Sequence, residues 1–79
     1  MENVNEILRK VGKEILCKYK WKCGISKGGY LVVDIPYKIR EMFEVELMLM
    51  DVLEHLSMTL DVHFDYKFYE NKIKVFVLN

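Results

Sequence analysis

The stretch CKYKWKCGI, residues 17–25, alternates in parity: Cys17, Tyr19, Trp21, Cys23 and Ile25 fall on one side, Lys18, Lys20 and Lys22 on the other. Apolar and cationic residues at period two are the pattern of a half-buried β-strand, odd positions turned to a core and lysines to water. After SKGG comes YLVVDIP, residues 30–36, a nearly continuous apolar run rich in β-branched residues that Pro36 closes. The two segments read as a hairpin. A three-residue loop of Ser26, Lys27 and Gly28, with Gly28 at positive φ, pairs Cys23 with Leu31, Trp21 with Val33 and Tyr19 with Ile35. The other face then sets Lys20 across from Asp34, Lys22 across from Val32 and Gly24 across from Tyr30. A four-residue loop would instead face Trp21 onto Asp34, so the register that pairs opposite charges and keeps the carboxylate out of the core is the expected one.

On the N-terminal side, Val4, Ile7, Leu8, Val11, Ile15 and Leu16 follow the three-and-four spacing of an amphipathic helix, and Asn3 with Glu6 forms a capping pair. The spacing predicts a helix over Asn3 to Leu16. Gly12 weakens it by about 1 kcal/mol relative to Ala, and marks a close approach of helix to sheet. On the C-terminal side, Tyr37 to about Met58 reads as a second, longer helix. Its apolar residues (Ile39, Met42, Phe43, Val45, Leu49, Met50, Val52, Leu53, Leu56) cover half the circumference or more, wider than a helix lying on one sheet requires.

The last segment is the clearest hairpin. A two-residue turn at Glu70 and Asn71 pairs Phe68 with Ile73, Tyr66 with Val75, Phe64 with Val77 and Val62 with Asn79. Helix, hairpin, helix, hairpin is the order of an α+β two-layer sandwich, a four-stranded antiparallel sheet with both helices on one face. One way to build it is a circular permutation of the ferredoxin-like βαββαβ unit, with the first strand moved to the end of the chain. That arrangement makes YLVVDI and IKVFVL the paired central strands, and the residues agree: both are apolar on both parities, whereas CKYKWKCGI and DVHFDYKFY carry Lys or Asp outward as edges do.

At 79 residues the chain is expected to form one compact domain over residues 1–79 in which every element shares one core. Twelve Lys and Arg balance twelve Asp and Glu, which argues against a generic polyanion binder. Apolar runs such as LMLM at Leu47 to Met50 stop far short of the roughly 20 residues of a membrane span, so no membrane partner is expected. Two cysteines are too few for a secreted disulfide scaffold of this size, which suggests a cytoplasmic location. On one strand Cys17 and Cys23 would lie roughly 20 Å apart, unable to bridge or to share an ion, and read as buried small apolar residues.

Catalysis finds little footing. Asp51 with His55 on a helix, and His63 with Asp65 on a strand, are each able to raise an imidazole pKa, but neither belongs to a phosphate loop, a nucleophile elbow or a metal-binding motif. No enzyme activity, metal or cofactor is expected. Glu46 is sharper, because a carboxylate among Ile39, Met42, Phe43, Leu49, Met50 and Leu53 must find a partner, such as Arg9 or Lys13, or reach water. Together with Met42, Leu47, Met48 and Met50 it marks a Met-rich surface suited to adaptable protein contact and to homodimerisation. The expected function is therefore a non-enzymatic interaction module of adaptor or inhibitor type. The alternative is a single-stranded nucleic-acid binder using the open sheet face, where Lys18, Lys20, Lys22, Tyr30, Lys67, Tyr69, Lys74 and Phe76 would interleave cations with stacking rings.

Overall fold

A computed structural model describes residues 3–36 and 42–78. The first helix, α1, spans Val4–Tyr19, and the Asn3 side chain caps it by accepting the Glu6 N–H at 2.9 Å. Ile7, Leu8, Val11, Gly12 and Ile15 are its buried face. The helix ends three residues beyond the boundary that the apolar spacing alone predicts. Tyr19 follows Val11 and Ile15 at steps of four, so it continues the buried stripe of a helix as readily as it fits a strand. The helix closes at Lys20, which adopts the left-handed conformation (φ 64°) and donates its N–H to the Leu16 carbonyl at 2.9 Å.

This ending corrects the reading of residues 17–25 as one strand. Cys17, Lys18 and Tyr19 form the last helical turn, and strand β1 is confined to Cys23–Ile25. The predicted pairs of Tyr19 with Ile35 and Lys20 with Asp34 do not form. Strand β2 is Leu31–Asp34, and the ladder joins Cys23 to Val33, Gly24 to Val32 and Ile25 to Leu31. Relative to expectation the loop keeps three residues but moves by one, to Lys27, Gly28 and Gly29. Ser26 N–H donates to the Tyr30 carbonyl at 2.8 Å, and Gly29, not Gly28, takes the positive φ of 84°. The shift keeps every parity, so Cys23, Leu31 and Val33 still face the helices.

The second helix, α2, covers Met42–Leu60, and the expected start at Tyr37 lies outside the described residues. It ends two residues beyond the predicted boundary, where Asp61 turns left-handed (φ 54°) and Val62 N–H reaches the Ser57 carbonyl at 3.2 Å. Strands β3, His63–Phe68, and β4, Lys72–Leu78, then form the second hairpin. Phe68 pairs with Ile73, Tyr66 with Val75 and Phe64 with Val77, in the register the alternation predicts, and Tyr69 N–H closes the turn onto the Lys72 carbonyl at 2.7 Å. The expected Val62–Asn79 pair involves a residue outside those described.

The sheet is antiparallel with order β1-β2-β4-β3, which places the two doubly apolar strands at the centre as expected. One row across the core face runs Cys23, Val33, Ile73, Phe68, and the next Ile25, Leu31, Val75, Tyr66. Helix α1 lies over β1, β2 and β4, while α2 packs on α1 and β3. Between the layers, Leu8, Val11, Ile15, Trp21, Leu31, Val33, Leu49, Ile73 and Val75 are almost wholly withdrawn from water. Gly12 is the closest point: a Cβ there would stand 3.2 Å from Cys23 Cβ and 3.4 Å from Leu31 Cδ1. The glycine that weakens the helix is what lets it sit down on β1.

Candidate functional site

The wide apolar arc of α2 divides into two stripes. Val45, Leu49, Val52, Leu53 and Leu56 are buried, with Met48 partly buried against them. Phe43, Leu47, Met50 and Met58 stand in water, 67, 51, 43 and 80% exposed. At steps of four, three and eight residues, these four align along one side of the helix with Glu54 among them. Of the expected interface residues, Leu47 and Met50 belong to this stripe. Met48 turns inward, and nothing is described of the Met42 side chain. Phe43 and Met58 extend the surface at both ends; their spacing puts them on the side of Leu47 and Met50, and their exposure separates that side from the buried one.

Glu46 finds a neutral partner. The Tyr66 hydroxyl on β3 donates to its carboxylate at 2.9 Å, so neither Arg9 nor Lys13 is required to satisfy it. Partial burial, then the adjoining Glu46 carboxylate, pushes the Tyr66 phenol above its ordinary value, keeping it a donor through neutral pH. A second phenol ties the helices together at the same level, Tyr19 donating to the Met48 carbonyl at 2.9 Å. Glu46 is thus a seam between α2 and the sheet, half open to water.

The open face of the sheet carries a second cluster. Tyr30, just before β2, and Phe76 of β4 meet with ring centroids 5.4 Å apart, and the Lys74 ammonium sits 4.9 Å from the Tyr30 ring and 4.6 Å from the Tyr69 ring. Lys67 lies across from Lys74 in the ladder. The structure brings these five expected residues together. A contact with Ser26, then the charge of Lys74, holds the Tyr30 phenol below its ordinary value. The other three lie elsewhere: Lys18 bonds Asp51 of α2 from the last turn of α1, Lys20 is the helix cap, and Lys22 precedes β1. Asp34, the expected partner of Lys20, stands 3.7 Å from Lys72 instead, an exposed pair of small worth.

The thiols differ from each other. Cys17 is exposed on α1, contrary to its reading as a core residue, while Cys23 is half-buried under the helix. Burial, then the charge of Asp34, pushes the Cys23 thiol up to about 11. Among the described residues no three His, Cys, Asp or Glu side chains gather as metal ligands, and no helix is long and apolar enough to cross a membrane. The Asp51 carboxylate is held below its ordinary range by the hydrogen bond from Lys18, then by the charge of that lysine. His63 and Asp65 both face outward on β3, where Asp65 accepts the Tyr66 backbone N–H at 2.9 Å. Compared with family models, with curated proteins and with solved structures, the chain finds no match in any of the three.

Proposed function

We propose that the protein is a small, cytoplasmic, non-enzymatic interaction module of adaptor or inhibitor type that pairs with a second copy of itself through the outward stripe of α2. One observation carries this reading: four large apolar side chains, Phe43, Leu47, Met50 and Met58, lie exposed in a line. Exposed apolar surface along one helix face marks a contact site although Glu54 interrupts it between Met50 and Met58, and thioether side chains adapt to what they meet. The stripe is also self-complementary. Turned antiparallel about a two-fold axis near Met50, it sets Phe43 of one copy beside Met58 of the other, a favourable sulfur–aromatic contact, at both ends at once.

Light scattering from low to high micromolar concentration tests it. The wild type is expected at twice the chain mass and Met50→Lys at the monomer mass with an unchanged circular dichroism spectrum. A wild type that stays monomeric across the range sinks the reading.

The Tyr30, Tyr69, Phe76 and Lys74 cluster favours a second reading, a stacking platform for single-stranded nucleic acid. Asp34 and Asp65 on the same face weigh against it. Under that reading the anisotropy of a labelled oligothymidine rises at low salt with wild type and not with Lys74→Glu; no rise with wild type removes it.

A further inference from the structure

The free edge of β1 differs from the other edge of the sheet. Strand β3 turns His63, Asp65 and Lys67 outward, charged or polar side chains that discourage pairing with another chain, whereas the three residues of β1 are Cys23, Gly24 and Ile25. Its backbone is also available. Asp34 N–H donates to the Lys22 carbonyl at 2.9 Å and Ser26 N–H to Tyr30, so Lys22, Gly24 and Ser26 face β2. By the alternation of an antiparallel ladder, the N–H and C=O groups of Cys23 and Ile25 then point away from the sheet.

Beside that edge, between β1 and α1, runs an open groove of about 450 Å³. Its walls are Leu8, Leu16, Ile25 and Leu31, and its charged residues, Arg9 and Lys13, are both cationic. Leu16 remains 49% exposed there although it belongs to the apolar pattern of α1. Arg9 and Lys13 are one helical step of four apart, about 6 Å, close to the roughly 6.8 Å between alternate side chains of an extended strand.

We propose that β1 and this groove form a strand-addition site for an extended acidic segment of a partner protein. Main-chain bonds to Cys23 and Ile25 hold the segment, and its inward-facing positions carry two successive carboxylates for Arg9 and Lys13, flanked by aliphatic residues for the groove. Charge complementarity selects the occupant: a neutral or basic strand would leave two cations over an apolar cleft without a counter-charge. This site is on the opposite side of α1 from the α2 stripe and stands independently of the dimer reading.

The probe is a fluorescein-labelled nonapeptide with Thr at odd positions and Val, Glu, Glu and Val in that order at the even ones, followed by anisotropy at low salt. Binding is expected at micromolar protein, weakened more than tenfold by Arg9→Glu with Lys13→Glu and by Leu16→Glu, whose exposed position spares the fold. Two further peptides, one N-methylated on every Thr and one on every Glu and Val, separate strand addition from charge attraction. A strand pairs along one of its edges, so one methylated peptide should lose binding and the other keep it. Equal binding of both overturns the proposal, as does an unmodified peptide that fails to bind at millimolar protein. Should β1 pair with β1 of a second copy, Ile25→Pro would lower the wild-type mass in light scattering and the peptide would not bind, which also overturns it.

Discussion

The two hairpins of this sheet are built by different means. In β3–β4 the alternation runs through the whole of β3, Ile73, Val75 and Val77 of β4 answer it across a two-residue turn, and six paired positions follow. In β1–β2 only three pairs form, the loop is glycine-rich, and the strand that enters it emerges from a helix by a single left-handed residue, Lys20. A long alternating strand fixes its own register, because a slip of one residue would turn its whole apolar row to water. A three-residue strand has too little alternation for that. Its position is set from outside, by α1 pressing on Cys23 through Gly12 and by Trp21 anchoring the chain between helix and strand.

The heaviest way to break this contrast is Trp21→Ala. Trp21 is 2% exposed, packs against Tyr19 with ring centroids 5.0 Å apart, and belongs to no regular element. Its loss is expected to cost about 3–5 kcal/mol in urea unfolding. Amide exchange should show the damage at β1 first, with β3–β4 still protected under mild denaturant. A cost below about 1 kcal/mol, or equal loss of protection in both hairpins, would mean that β1–β2 holds its register unaided.

The thiols sharpen the same comparison. Had residues 17–25 been one strand, Cys17 and Cys23 would share a buried face and react alike. At pH 8 a thiol raised to about 11 leaves only about one thiolate in a thousand for Cys23, and the helix covers it as well. Reaction with a disulfide reagent should therefore be biphasic, with Cys17 modified at least about a hundredfold faster. The sign for stability follows. Because Cys23 ionises less readily folded than unfolded, its contribution is intact below its ordinary value near 9 and is lost as pH rises towards about 11. A Cys23→Val variant should lose that part of the alkaline decline.

Sequence pattern reached far in one half of the molecule and less far in the other. The order of elements and the register of β3–β4 rest on long periodic segments, where alternation speaks clearly, and the central place of β2 and β4 rests on runs that are apolar on both parities. The end of α1 was ambiguous because Tyr19 satisfies both a period of two and a period of four from Ile15. No residue type announces the left-handed turn that resolves it, since Lys rather than Gly or Asn occupies position 20. The position of the first loop depended on which of two adjacent glycines takes positive φ. Gly28 is crowded by Tyr30, whose ring would lie 2.8 Å from a Cβ there, and that ring is placed by Phe76 on a distant strand. Among the candidate contacts, the apolar excess of α2 was visible in composition, but Phe43 and Met58 emerge as its ends only once Val45, Leu49 and Leu56 are seen to take the other side. Likewise the partner of Glu46 is a tyrosine twenty residues away, beyond the reach of any local rule.

The lightest test has the clearest sign. Lys20 closes α1 at φ 64°, a conformation that costs an L-residue with a Cβ roughly 1 kcal/mol or more and glycine almost nothing. Its side chain is exposed, so Lys20→Gly removes no buried contact. In a helix C-cap the substitution is expected to raise stability by about 1 kcal/mol, a gain of a few degrees in melting temperature for a domain of this size. In an extended strand the same change would lower stability, because glycine gives up more backbone freedom and offers no side chain to the sheet. Lys20→Val reverses the expectation, favouring the strand and straining the cap. The pair of variants thus reads out, by the direction of two small shifts in one thermal melt, which of the two periods in CKYKWKCGI the chain obeys.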